Sequence, residues 1–122
     1  SRLYYIDSNK ENIEQITIDD TYVNELVRKK IIDKSEAKNH PQKHVLTKAL
    51  GIFGSIEVKV DSLIKENGFL LLCSDGLTNM VKNDNILDII KSSNFMTLSD
   101  ALVDTANRNG GADNVTVIVI EI

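Results

Sequence analysis

Leu70-Leu71-Leu72-Cys73-Ser74-Asp75-Gly76-Leu77 sets an apolar run directly against an acid and a glycine. Phe69 to Cys73 is continuously apolar and bounded by Gly68 and by Asp75-Gly76. A short run of this kind predicts a strand covered on both faces, deep in a fold, with Asp75 on a rigid support at its end. The ordinary reading of Asp-Gly after a strand is an Asx turn. The chemical reading starts from the cost of burying a carboxylate, which a metal ion or several donors must offset.

The same pattern recurs near the end of the chain. Gly110-Gly111-Ala112-Asp113-Asn114 delivers an acid and an amide just before the β-branched run Asn114 to Ile122, which predicts a last strand. Two glycines after a helix suffice for a helix stop and a turn, with Gly110 where a left-handed C-cap residue is wanted. Taken together, Asp75 and Asp113 are two carboxylates at the ends of two core strands. If those strands face each other, the acids can converge on one hard cation. Oxygen-only ligands select Mg²⁺ or Mn²⁺ over zinc, which prefers His and Cys.

Working outward, residues 2 to 7 and 12 to 18 predict an antiparallel hairpin around the polar turn Asp7-Ser8-Asn9-Lys10-Glu11. Tyr22, Val23, Leu26 and Val27 mark one face of a helix ending near Lys30. Asp33 with Glu36 three residues on is a capping-box signature for a second, short helix. His40 to Gly54, with the only proline, reads as an irregular excursion. Ile56, Val58 and Val60 alternate with Glu57, Lys59 and Asp61, which predicts a half-buried strand. Two helices follow, one carrying Ile86, Leu87, Ile89 and Ile90, the other Leu98, Ala101, Leu102, Thr105 and Ala106, with Thr97 as a cap. Grouped strands and grouped helices favour an α+β layered architecture over a doubly wound parallel sheet.

The 122 residues fit one domain, and 42% apolar with 26% charged residues describes a chain that packs. A formal charge of -4 gives no basic field for nucleic acid or an anionic membrane surface, and no apolar stretch approaches the length of a membrane helix. Cys73 is the single cysteine, so no internal disulfide forms and a cytoplasmic location is expected. The opening Ser1-Arg2-Leu3-Tyr4-Tyr5-Ile6 has no initiator Met and runs straight into a strand, which predicts an excised piece whose amino-terminal part is absent.

Four other readings are disfavoured. His40 and His44 are four apart, but Pro41 disrupts a helix there and stands where a zinc-protease glutamate is required, so both read as surface histidines. Cys73 lacks the arginine that closes a cysteine-phosphatase loop, Asn79 standing in its place, and reads as a core thiol. Arg28-Lys29-Lys30 reads as a solvated helix end. A dehalogenase-type phosphatase needs a second acid two residues after the first, where Leu77 stands.

In order along the chain, four stretches resemble the metal-dependent serine/threonine protein phosphatases of the type 2C class, bacterial members in particular. Ser1-Arg2-Leu3-Tyr4 resembles the tail of a Gly-Asp-Ser-Arg motif. Thr17 to Val23 resembles the following Asp-His-Ser segment, with Asp20 replacing the histidine. His40-Pro41 through Val45-Leu46-Thr47-Lys48-Ala49-Leu50-Gly51 is similar to the flap-to-strand passage. Ser74-Asp75-Gly76-Leu77 and Gly111-Ala112-Asp113-Asn114 match the two late metal motifs.

The resemblance implies that residues 1–122 are the carboxyl-terminal part of a single phosphatase domain with a flap-like excursion over about 20–54. The implied fold is the carboxyl-terminal part of a four-layer α-β-β-α sandwich, two antiparallel sheets flanked by helices. The implied activity is hydrolysis of phosphoserine and phosphothreonine in proteins by a water bridging two metals, Mg²⁺ or Mn²⁺. Asp75 and Asp113 would be metal ligands, Asp75 also reaching toward a third site, with Gly76, Asn114 and Asn79 beside the metal. Asn79 stands where some relatives carry another acid, which argues against that third site. Further ligands are expected upstream of Ser1, so the chain by itself carries half a centre, is expected to be inactive and should bind metal weakly. The implied partners are phosphorylated substrates of a Ser/Thr kinase. Exposed sheet surface left by the missing half predicts self-association. The alternative implied by the same resemblance is a catalytically inactive phosphatase-like module that binds phosphoproteins.

Overall fold

A computed structural model of the protein describes residues 1–51, 54, 55 and 57–122. These residues gather into two compact units, residues 1–17 with 64–122, and residues 18–63.

The first unit is built on one four-stranded antiparallel sheet. β1 (Arg2–Asp7) and β2 (Ile13–Gln15) form the predicted hairpin, followed by β3 (Gly68–Cys73) and β4 (Val117–Glu121), in the spatial order β2-β1-β3-β4. Asp7 closes the hairpin turn by accepting from the backbone N–H of Glu11 (2.7 Å) and from the Asn12 side chain (2.7 Å). Pairing in β2 stops earlier than the expected residue 18. The amides of Ile16 and Thr17 both reach the Leu3 carbonyl, and the Leu3 N–H donates to Thr17 Oγ1 at 2.9 Å. A side-chain oxygen thus takes the place of a backbone acceptor and ends the ladder.

α3 (Asp75–Thr78), α4 (Asn83–Ser92) and α5 (Leu98–Arg108) cover one face of this sheet. The pleat sends Tyr4, Ile6, Phe69, Leu71 and Cys73 into a core with Leu77, Val81, Ile86, Ile90, Leu98, Leu102 and Ala106. The helical spacing of apolar residues read from the sequence is the buried stripe of α4 and α5. Thr97 stands at the N-cap position of α5 as expected, but its side chain makes no capping hydrogen bond. A short 3₁₀ turn, Phe95–Thr97, precedes the helix, Asn94 accepts from Met96 N, and the Thr97 hydroxyl turns back to the Asn94 carbonyl. At the other end Gly110 and Gly111 both take positive φ, 134° and 53°, and their N–H groups return to Asn107 and Ala106.

Among the described residues of this unit, the opposite face is left partly exposed. Register places Tyr5, Leu70 and Ile120 in one row across the sheet and Leu3, Leu72 and Ile118 in the next. Leu72 is 38% exposed and Ile118 53%. The apolar run Phe69–Cys73 therefore buries only alternate residues against this chain's own helices, where cover on both faces was expected.

In the second unit, α1 (Tyr22–Arg28) starts at Thr21, whose hydroxyl accepts from Asn24 N, and α2 (Lys34–Asn39) carries the predicted capping box. Asp33 accepts from Glu36 N at 2.8 Å and Glu36 Oε2 accepts from Asp33 N at 2.8 Å. The strand expected over 56–60 does not form at residues 57–60, and Ile56 lies outside the described residues. Val58 and Val60 are exposed. Alternation sorts side chains to two faces, but a strand also needs a neighbour to pair with, and residues 57–60 find none among the described residues. No helix among the described residues is long and apolar enough to cross a membrane.

Candidate functional site

One end of the sheet collects three segments of the chain. β1 begins there, since Arg2 pairs with Cys73, the last residue of β3, and Cys73 pairs with Val117, the first of β4. Ser1, the Ser74-Asp75-Gly76 turn and the Asp113–Thr116 loop therefore adjoin. The antiparallel register answers the condition left open by the sequence: the two acid-bearing strand ends are neighbours.

The loops are pressed together at backbone level. A Cβ built on Gly76 would fall 2.2 Å from the Asn114 carbonyl oxygen, so no side chain fits at 76 without moving the loop that follows Asp113. Here glycine serves close approach rather than an unusual φ. Ser74 stitches the same two segments. Its N–H donates to the Thr116 carbonyl at 3.0 Å, its hydroxyl donates to the Asn114 carbonyl at 3.2 Å, and its Oγ accepts from Thr116 N at 3.0 Å.

Asp75 is the first residue of α3, and its carboxylate is exposed rather than buried as the strand-end position suggested. Nothing among the described residues donates to it through a hydrogen bond or ion pair. Asp113 is also exposed, and its carboxylate accepts from the N–H of Asn114 at 2.7 Å, which orients it. Asn79 lies one helical turn beyond Asp75, its N–H donating to the Asp75 carbonyl at 2.8 Å, so the two residues share a side of α3. Asn114 is exposed and Gly76 buried. Beside this end, Ser1, Leu72, Cys73, Ser74, Thr116 and Ile118 line a cavity of about 350 Å³.

The donor set is what a hard divalent cation accepts, two exposed carboxylates on braced loops. Among the described residues no three His, Cys, Asp or Glu side chains group to hold a metal, so two carboxylates by themselves do not make a complete ligand set.

Of the residues set aside in the sequence, His40 belongs to the second unit and Cys73 ends β3 at this same sheet end. His40 caps α2 at its carboxyl end, where its Nδ1 accepts from Gln42 N, and its ring meets Tyr22 at 6.3 Å. Cys73 is buried in the core cluster. Ser74 was not singled out. Its only signal in the sequence is a hydroxyl residue between a buried strand and an acid, a common arrangement whose meaning depends on what lies across the sheet.

Comparison with known proteins agrees with this arrangement. The family model described as Protein phosphatase 2C matches residues 22–115. The serine/threonine phosphatase stp of Listeria welshimeri is 42% identical over 125 residues, covering 99% of this chain and 48% of the relative. The crystal structure of the Mycobacterium tuberculosis serine/threonine phosphatase PstP/Ppp superposes with a TM-score of 0.81 at 35% identity, covering 98% of this chain and 50% of that one. A PstP catalytic domain solved in complex with two manganese ions is similar over 98% of this chain and 48% of that one, at 33% identity and a TM-score of 0.74. The chain spans about half the length of these relatives. A matched model over most of the chain, a relative alike from end to end of it, and the same sheet with its helices leave one conclusion: this chain belongs to the protein phosphatase 2C family.

Proposed function

We propose that this chain is the carboxyl-terminal part of a phosphatase that hydrolyses phosphoserine and phosphothreonine in proteins at a divalent-metal centre, Mg²⁺ or Mn²⁺. Asp75 and Asp113 supply two of its carboxylates. The observation that carries this reading is the backbone contact of Gly76 with Asn114, which brings the two acid-bearing loops together in a member of this family. When bound, a divalent cation supplies Lewis acidity toward phosphoryl oxygens and a nucleophile from water near neutral pH. The chain's own contribution is positional: β3, α3 and the 113–116 loop hold two carboxylates at one sheet end, with Gly76 and Asn114 between them.

The remaining ligands belong to sequence upstream of Ser1, which reaches the site at the end where β1 begins. That upstream half also covers the partly exposed sheet face of Leu72, Ile118 and Ile120, since the solved relatives are about twice as long. In its absence the same face drives self-association of the 122 residues. The same reading makes residues of about 20–54 a flap-like excursion, which falls within the compact unit 18–63. The substrates are phosphoproteins made by a Ser/Thr kinase.

The test is hydrolysis of a phosphothreonine peptide by the full-length protein, with and without Mn²⁺. Metal-dependent release of phosphate is expected. A folded, metal-loaded full-length protein that releases none overturns the enzyme reading, and phosphopeptide binding without turnover would establish the inactive module in its place.

A further inference from the structure

We infer that Ser74 is a positioning residue that sets the separation of Asp75 and Asp113, and with it the affinity of the site for a divalent cation. The inference deepens the metal-centre reading and rests on it. Three hydrogen bonds join Ser74 to the chain segment that follows Asp113, and they form a sequence. The backbone N–H of Ser74 continues the β3–β4 ladder one step past Cys73 by donating to Thr116. There the ladder ends, since residues 114–116 are no longer strand. Beyond it the Ser74 hydroxyl accepts from Thr116 N at 3.0 Å and donates to the Asn114 carbonyl at 3.2 Å.

One hydroxyl thus uses both its donor and its acceptor capacity on a single loop. The residue after Ser74 is Asp75, and the residue before Asn114 is Asp113. The clamp lies one peptide unit from each carboxylate. Gly76 closes the arrangement from the other side, since its missing Cβ is the space that the Asn114 carbonyl fills. The Ser74 hydroxyl has its proton and one lone pair engaged by backbone partners. Two exposed carboxylates would otherwise repel one another and drift apart in the absence of a cation, and a hydrogen-bonded brace that holds them raises affinity by lowering the reorganisation that binding requires.

The experiment is Mn²⁺ titration of the full-length protein followed by the electron paramagnetic resonance signal of free Mn²⁺, a binding readout independent of turnover. Ser74→Ala is expected to weaken Mn²⁺ about 10- to 100-fold, Ser74→Thr to restore it to within a few-fold, and the thermal midpoint without metal to differ little between the two. Asp75→Asn and Asp113→Asn run beside them. If neither of these weakens binding, the metal-centre reading itself fails. If both abolish it while Ser74→Ala binds Mn²⁺ as tightly as the unaltered protein, the positioning role alone is overturned. Weakening by Ser74→Ala that Ser74→Thr does not reverse also overturns it, because the hydroxyl is then not the cause. Should Ser74→Ala fail to fold, Ser74→Cys decides, with a thiol as the weaker bonding group: unchanged affinity overturns the role, and weakened affinity supports it.

Discussion

Leu71 and Leu102 are sealed from solvent in the unit formed by residues 1–17 and 64–122, where a sheet and three helices share one continuous core. Residues 18–63 have no counterpart. Among their described residues only Thr21, Val23 and Ala37 are buried, and their helices are seven and six residues long. Helices this short are marginal on propensity alone. They are held by local devices instead, the Thr21 cap and the Asp33–Glu36 capping box. The first unit derives its stability from area removed from water and the second from hydrogen bonds, the local caps together with a few between distant segments, Tyr22 N to the Val45 carbonyl, Thr47 N to the Asp20 carbonyl and the Thr21–Leu46 bridge. The proposed metal ligands are both mounted on the first kind of structure, where a carboxylate's position is backed by a packed core. Segments that rely on the second kind open most readily.

The sharpest way to break this contrast is to hollow the core. Leu102→Ala removes a side chain with no exposed surface at the centre of α5 and leaves a cavity under the sheet, which costs about 2–5 kcal/mol. Urea unfolding at a fixed protein concentration should show the midpoint falling accordingly, with hydrogen exchange accelerating through β1, β3 and α5 together. A loss confined to α5 would mean that the unit does not share one cooperative core.

A smaller effect is expected from the caps. Thr21→Ala deletes the acceptor for Asn24 N and should cost about 0.5–2 kcal/mol within residues 18–63. Exchange of the Asn24 and Glu25 amides should quicken while the Leu71 amide keeps its protection. Equal loss at Leu71 would show that the two units unfold as one, and the contrast would have to be abandoned.

How much of this could be read in advance follows the same division. β3 was legible as a strand, while its one-sided burial was not, because that depends on what covers the sheet. α4 and α5 were legible because their apolar spacing is local. The capping box of α2 was legible for the same reason. The early end of β2 was not, since it depends on Thr17 reaching Leu3 across the hairpin. α3 was not either. It is a four-residue turn packed against a loop forty residues away, and no periodicity announces so short a helix. Asp75 and Asp113 could be picked out as acids at strand ends, but their exposure and the bridging hydroxyl of Ser74 follow from the β3–β4 register. The alternation at 56–60 misled because pairing is a property of two segments and the sequence of one shows only its faces.

The smallest effect expected compares the two units by the same chemistry. Asp7, half-buried in the β1–β2 turn, and Asp33, exposed at the start of α2, are both carboxylates held below the ordinary value of 3.8. The Asn12 side chain is the main cause at Asp7, and the Ser35 side chain at Asp33. A carboxylate whose folded pKa is depressed adds stability that is present above its unfolded value and lost as pH falls through the folded one. Both contributions should therefore hold at neutral pH and fade below about 3.8. Their consequences should differ. Protonating Asp7 loosens a turn whose strands remain paired in a sheet, since β1 keeps its ladder with β3. Protonating Asp33 weakens the acceptor of a capping box on a six-residue helix. Carboxyl carbon-13 titration should give both acids values below 3.8. Exchange measured over the same range should then show the α2 amides losing protection before the Tyr4 and Tyr5 amides of β1. Simultaneous loss in α2 and β1 would mean that the core of the first unit, and not the local hydrogen bond, determines how α2 responds to acid.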